Sequence, residues 1–259
     1  MIERAKYLEY RHQRDRINSY NVNRKVEIKV ERPAAALLRL VGKKTNAKTD
    51  EYQEDWSMEL RTTDVMPDRS ALVKTQVTQA VRKVKGEAVP FPDRESPTNE
   101  FLNEVVDLSG KLSGHQGSLP SPHLALFPEE PVKKGQEWER SRHELLPIYA
   151  PDGQVKNYAP HSVTYSGRVD DIGEQDDGVE FVDLTLSGLG EFGGESSPKQ
   201  AFSVQGKIRF ALRDGHVLKA NLTRAMAVTL GEVTLTHTAQ ETFAFLSRGT
   251  EQSVGGMRM

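Results

Sequence analysis

Phe202-Ser203-Val204-Gln205-Gly206-Lys207-Ile208-Arg209-Phe210-Ala211-Leu212 decides the fold of this chain. Phe202, Val204, Ile208, Phe210 and Leu212 fall on one side, and Ser203, Gln205, Lys207 and Arg209 on the other. A period of two sustained over this length is a strand with one buried and one wetter face. Arg213-Asp214-Gly215-His216 follows, with the Asp-Gly pair that tight hairpins favour, so a second strand is expected over Val217 to Leu230. Past Gly231, Val233, Leu235, His237, Ala239, Glu241, Phe243 and Phe245 alternate with Thr234, Thr236, Thr238 and Thr242. Three such runs with short turns form an antiparallel meander.

Upstream, Val163 to Val169 and Val179 to Ser187 flank the turn-rich stretch Asp170 to Gly178, which predicts another hairpin. Nearer the amino end, Tyr20, Val22, Val26, Ile28 and Val30 form one candidate strand. Trp56, Met58, Leu60 and Thr62 alternate with Ser57, Glu59 and Arg61 in another. Met66-Pro67-Asp68 is a turn, because proline presets its dihedral and aspartate caps it. In Ala71 to Val84, Val73, Val77 and Val81 have helical spacing, but the β-branched content favours a strand. Phe101, Leu102, Val105 and Val106 suggest one short amphipathic helix, and Asp107 to Leu112 another turn. Pro120, Pro122, Pro128 and Pro131 exclude continuous helix or central strand and mark the best internal boundary.

The chain of 259 residues has 28% charged and 36% hydrophobic residues, 37 acidic against 35 basic side chains, and a formal charge of -2. That is the composition of a globular protein, with no stretch approaching the roughly 18 apolar residues that cross a bilayer. The charge is uneven: residues 1 to 50 carry 13 Lys+Arg and 6 Asp+Glu, leaving 22 against 31 for the remainder. In the basic arm Arg4, Lys6, Arg11, Arg14 and Arg16 are interleaved with Glu3, Glu9 and Asp15, which weakens the field a nucleic acid would need. No apolar signal segment follows Met1, so the chain as written reads as cytoplasmic, or as an envelope or exported protein if this is a mature form.

The strand Ser19 to Glu31, the turn Asp107-Leu108-Ser109-Gly110-Lys111, the Arg213 to Leu218 hairpin and above all Pro131-Val132-Lys133-Lys134-Gly135-Gln136-Glu137-Trp138 carry a resemblance. Their order and spacing resemble an uncharacterised bacterial family of β-rich proteins, many exported or lipid-anchored. The resemblance implies an antiparallel β protein and supplies no activity or catalytic residue.

Zero cysteines remove thiol chemistry, thiolate zinc sites and disulfides. None of the seven histidines stands at a spacing that converges on a metal; His143-Glu144 begins like a zincin motif, but Pro147 stands where the second histidine belongs. Gly188-Leu189-Gly190-Glu191-Phe192-Gly193 matches a dinucleotide fingerprint, but Gly194 to Pro198 cannot open the required helix, so it reads as a loop between strands. No nucleophile elbow is present. His237 and Glu241 lie two steps apart on one strand face, as a buried polar pair or the floor of a groove. Trp138 follows a turn and is an interface anchor or the edge of a core.

The expectation is therefore an all-β, mainly antiparallel protein. Its meanders form two similar lobes in a curved sheet, half-barrel or sandwich, with at most one short helix. Residues 1–117 and 136–247 are the lobes, 118–135 the Pro-rich joint and 248–259 a disordered tail. No cofactor or metal is expected. The function expected is that of a non-enzymatic binding or scaffold protein whose curved face takes an apolar small molecule or a partner chain, with Trp138, His237 and Glu241 as candidate contacts. A hydrolase with dispersed Asp, Glu and His residues and a strand-adding oligomer are the alternatives.

Overall fold

The computed structural model describes residues 5–31, 48–91, 96–117, 119, 123, 125–149, 155–193, 198–231 and 233–250. Among the described residues twelve strands follow one another: β1 (Arg16–Glu31), β2 (Lys48–Val65), β3 (Ala71–Val84), β4 (Glu87–Val89), β5 (Phe101–Val106), β6 (Leu112–Gly117), β7 (Glu137–Tyr149), β8 (Val155–Glu174), β9 (Glu180–Phe192), β10 (Lys199–Ala211), β11 (His216–Leu230) and β12 (Val233–Thr250). They form a single antiparallel sheet in the order β6-β5-β3-β2-β1-β12-β11-β10-β9-β8-β7, with β4 beside β3. The sheet curls into a nearly closed barrel, and its two end strands β6 and β7 approach each other.

The halves on either side of the Pro-rich segment share this one sheet. They meet where β1 pairs with β12 from Arg16↔Thr250 to Glu31↔Thr234. Most inward positions are apolar and most outward ones polar, as the alternation predicts. Val22 lies between Trp56 and Phe243, with Ala220 beyond Phe243, all inward; Asn21, Ser57 and Ala244 lie on the outward row. Ala71–Val84 is a strand as expected.

Phe101–Val106, expected as a helix, is strand β5. Leu102, Glu104 and Val106 are fully buried on its inward row, and Phe101 points outward. The acidic Glu104 within that row is what hid the alternation. Among the described residues the sole helical segment is the 3-10 turn Pro97–Asn99. β12 takes in Arg248–Thr250, expected in the tail, which pair with Arg16–Asn18; residues 251–259 lie outside the described residues. Gly188 to Phe192, expected as a loop, belongs to β9.

Candidate functional site

A barrel of eight strands is just filled by its own side chains, and the eleven strands that follow one another around this sheet enclose more space than they fill. In the lower half, at the ends marked by Arg16, Ala71, Glu137 and His216, two non-strand segments occupy that space. Residues 5–13 enter beside β11, where the Arg11 amide donates to Gly215 O at 3.1 Å, and the Tyr10 amide donates to Leu108 O at 2.8 Å. His123 and residues 125–136 lie between β6 and β7 along the chain, joined to the first segment by paired Lys6 and Val132 backbone bonds at 2.9 and 2.8 Å. Tyr10, Phe127 and Phe210 meet with ring centroids 4.7 to 5.3 Å apart. The Tyr10 hydroxyl accepts from the Ala125 amide at 3.2 Å, and burial pushes its pKa up to about 12. The Pro-rich segment is thus also part of the core, with Leu119, Ala125, Leu126, Phe127 and Val132 all buried.

The crossing segment also seals the seam between the sheet ends. Three inward side chains of β7 donate to its backbone carbonyls: Trp138 Nε1 to Leu126 O at 2.8 Å, Arg140 Nη1 to Phe127 O at 2.8 Å, and Arg142 Nη1 to His123 O at 2.8 Å and Gly110 O at 3.0 Å. Trp138 sits over Gly167, where a Cβ would meet its Cζ2 at 2.2 Å. The Pro131 to Trp138 stretch therefore has a structural meaning. Val132 bridges to Lys6, Gly135 takes the left-handed turn at φ 78, and Trp138 fastens the seam. Beside this plug, a cavity of about 20 Å³ lined by His12, Arg16, His123 and His216 has room for one water rather than a ligand.

Above the plug lies a belt of alternating charge on the inward rows of β3, β2, β1, β12 and β11. Glu54 Oε1 meets Arg82 Nη2 at 2.9 Å, and its Oε2 meets Arg24 Nη1 at 3.1 Å. Glu241 Oε1 meets Arg24 Nε at 3.0 Å, and its Oε2 lies 3.1 Å from Arg224 Nε. Register places them: Arg24 stands opposite both Glu54 and Glu241, and Glu54 opposite Arg82. The Arg24 guanidinium also covers the Trp56 ring at 4.4 Å, and Arg82 covers Tyr52 at 4.4 Å and Phe91 at 4.8 Å.

Of the residues expected from sequence, Glu241 is buried in this belt and held by arginines, while His237 lies one inward step above Ala239 on the same row. Burial, and then the nearby Arg24, holds the His237 imidazole below its ordinary pKa, so it stays neutral. Trp138 lies across the barrel in the seam. Sequence reasoning missed Arg24, Glu54, Arg82 and Arg224, because each stands alone in an apolar row and they meet only through register. The acid groups of the belt are engaged by guanidiniums. Among the described residues no group of three or more His, Asp or Glu is placed to hold a metal.

Farther up, the inward rows are mostly apolar, interrupted by Gln200, His161 and His237. Val26, Ala239, Met226 and Val228 are buried, and Ile28, Val30, Leu235, Phe202 and Phe192 are half-buried toward the rim. The glycines of the apparent fingerprint serve this interior: a Cβ at Gly188 would meet Val204 Cγ1 at 2.8 Å and the Tyr165 ring at 2.9 Å, so glycine admits both. On the outside of the sheet a groove of about 700 Å³ runs past Asn23, Lys25, Gln53, Gln205, Lys207 and Asn221. Its outward side chains are amides, hydroxyls and ammonium groups.

No protein-family model matches the sequence, and no curated protein matches it. Among solved structures the chain is similar to one described as lipid-protein interactions in lipovitellin, at 8% identity and a TM-score of 0.48 over 92% of this chain. The chain spans 26% of that protein's length. A likeness of that degree carries no argument about function. Among the described residues no helix is long and apolar enough to cross a membrane.

Proposed function

We propose that this is a non-enzymatic binding protein that holds an apolar small molecule in the upper half of its barrel. One observation carries the reading: mostly apolar inward rows, interrupted by Gln200, His161 and His237, continue above the belt, beyond the level filled by residues 5–13 and 125–136, and are half-buried toward the rim at Ile28, Val30, Leu235, Phe202 and Phe192. A concave, mostly apolar enclosure with a few placed polar groups is the usual form of a small-molecule site. A side chain left half-wet on the inside of a sheet gains from a ligand's cover, at about 25 cal/mol for each Å² of apolar surface removed from water.

The neutral dye Nile red tests this reading. Saturable binding with a blue-shifted emission, competed by dodecanol and weakened by Leu235→Ser and Phe202→Ser, is the expected result. Mass spectrometry of the natively purified protein reports any co-purified lipid directly. A folded protein that takes up neither dye nor alcohol, or one whose binding ignores both substitutions, overturns the proposal.

A further inference from the structure

We propose that the groove on the outer face of the barrel is a second site, separate from the interior, which binds an extended neutral polysaccharide chain. Two hollows make up the groove, one of about 700 Å³ over β2, β1, β12, β11, β10 and β9 and one of about 450 Å³ over β9, β8 and β7, and Thr185 and Ser187 line both. Register joins them. Gln53, Lys25, Gln240, Thr223, Gln205 and Ser187 stand opposite one another from strand to strand as one outward rail, which ends at Glu139. Asn23, Thr242, Asn221, Lys207 and Thr185 form the other, which ends at Glu137. The rails cross eight neighbouring strands, and seven spacings of about 4.8 Å give a length of roughly 34 Å. The inward positions between them include Gly206 on β10 and Gly167 on β8, where a Cβ would strike the Asn221 and Leu222 backbone or the Trp138 ring. Glycine lets the wall draw in at this level, and its outer surface is hollow as a result.

The chemistry of the rails selects the occupant. On the second rail Asn23 donates to Asp55, Thr242 donates to Asn221 Oδ1 at 3.1 Å, and Thr185 donates to Asp170 at 2.6 Å, so these side chains are held in place. On the first, the exposed amides of Gln53, Gln240 and Gln205 make no side-chain hydrogen bond among the described residues and are available to a ligand. Each amide offers donors and an acceptor, which suits a chain of hydroxyls that both donate and accept. Lys25, Lys207 and Arg168 are matched along the rails by Asp55, Glu137 and Glu139, so the groove lacks the positive excess that nucleic acids and anionic membranes require. It also lacks the aromatic anchors of a protein interface, and a peptide that adds as a strand needs a sheet edge rather than a sheet centre.

Native electrophoresis through gels containing laminarin, dextran, galactomannan or xyloglucan tests the proposal, with the dependence of mobility on polysaccharide concentration giving the affinity. At least one of the four is expected to retard the protein, and its hexasaccharide should compete about tenfold or more better than its disaccharide, because the longer chain reaches more of the rail. Gln205→Ala combined with Gln240→Ala changes two exposed side chains. It should weaken the retardation about tenfold or more and leave Tm and Nile red binding unchanged. No retardation by any of the four overturns the proposal, as does retardation that the double variant does not weaken or a hexasaccharide that competes no better than the disaccharide. Retardation by heparin alone would make the groove a polyanion site and also overturns it. None of these outcomes bears on the interior site, which Nile red reads independently.

Discussion

Replacing Glu241 by leucine removes the carboxylate that links Arg24 and Arg224 across β1, β12 and β11 at 3.0 and 3.1 Å. Glu241 is 2% exposed, so the two guanidiniums lose a buried counter-charge. Removing one partner of a buried pair costs about 3–5 kcal/mol. Arg24 keeps Glu54 at 3.1 Å and Arg224 is partly wet, which places the expected loss at the lower end, about 3 kcal/mol. At roughly 2–4 °C per kcal/mol for a chain of this size, Tm should fall by about 6–12 °C. Urea unfolding followed by tryptophan emission reads the same loss, as a lower midpoint with an unchanged slope; Trp56 under Arg24 makes the signal local. Adding Arg224→Met to Glu241→Leu should recover part of the loss, because an apolar replacement for a whole buried pair is often neutral. Asp183→Asn provides the control. Its pair with Arg209 at 2.8 Å leaves the side chains 31% and 40% exposed, so the change should cost less than about 1 kcal/mol. If Glu241→Leu costs no more than Asp183→Asn, the belt is not a buried network and the reasoning fails.

Acid should weaken the lower half. Burial lowers the His12 pKa to about 3 and the His216 pKa to about 4 from an ordinary 6.5, so the folded protein keeps both neutral while the unfolded chain takes up protons. Their contribution is complete above pH 6.5 and is lost progressively as the pH falls from 6.5 to the folded values near 4 and 3, amounting to about 2 kcal/mol each by pH 5. His216→Gln should flatten the pH dependence of the urea midpoint, and an unchanged slope would contradict the assignment. Gly167→Ala should drive the Trp138 ring out of place, break its bond to Leu126 O, cost about 1–3 kcal/mol and red-shift tryptophan emission. Phe127→Ala should cost about 3–5 kcal/mol in thermal melts despite lying outside every strand, since Phe127 is fully buried against Tyr10 and Phe210; a loss below 1 kcal/mol would mean that the crossing segment is not core.

The central parts of the strands from β8 onward were legible because their alternation is long and nearly unbroken, and the Asp214-Gly215 turn is local chemistry; β8 nonetheless runs from Val155 to Glu174, taking in Asp170 to Glu174, which the acidic and glycine residues made read as a turn. β3 shows why the helical spacing of Val73, Val77 and Val81 misleads. A register irregularity opposite Ser57 and Met58 shifts the inward row from Val77 to Ala80, leaving Val81 outward and 44% exposed. β5 was misread because its inward row carries Glu104, whose partner His123, at 3.3 Å, comes from the crossing segment. That segment looked like a joint because its prolines exclude regular structure, yet Leu126 and Phe127 between them were a signal of burial. Glu241 was visible as a polar residue in an apolar row. Arg24 and Glu54 give the same signal in their own strands, but only the register of non-consecutive strands shows that they face one another.

The β1–β12 pairing also bears on how the barrel is made. Arg24 and Glu241 are 217 positions apart, and the contact between them can form only after β12 has emerged from the ribosome. Until then one side of β1 is an unsatisfied edge, the kind of surface on which chains associate wrongly. Closing a loop of that length and ordering a sheet of distant pairings belongs to the slow end of folding. The same late step gives the finished barrel its durability, because unfolding must part strands drawn from both halves of the chain at once.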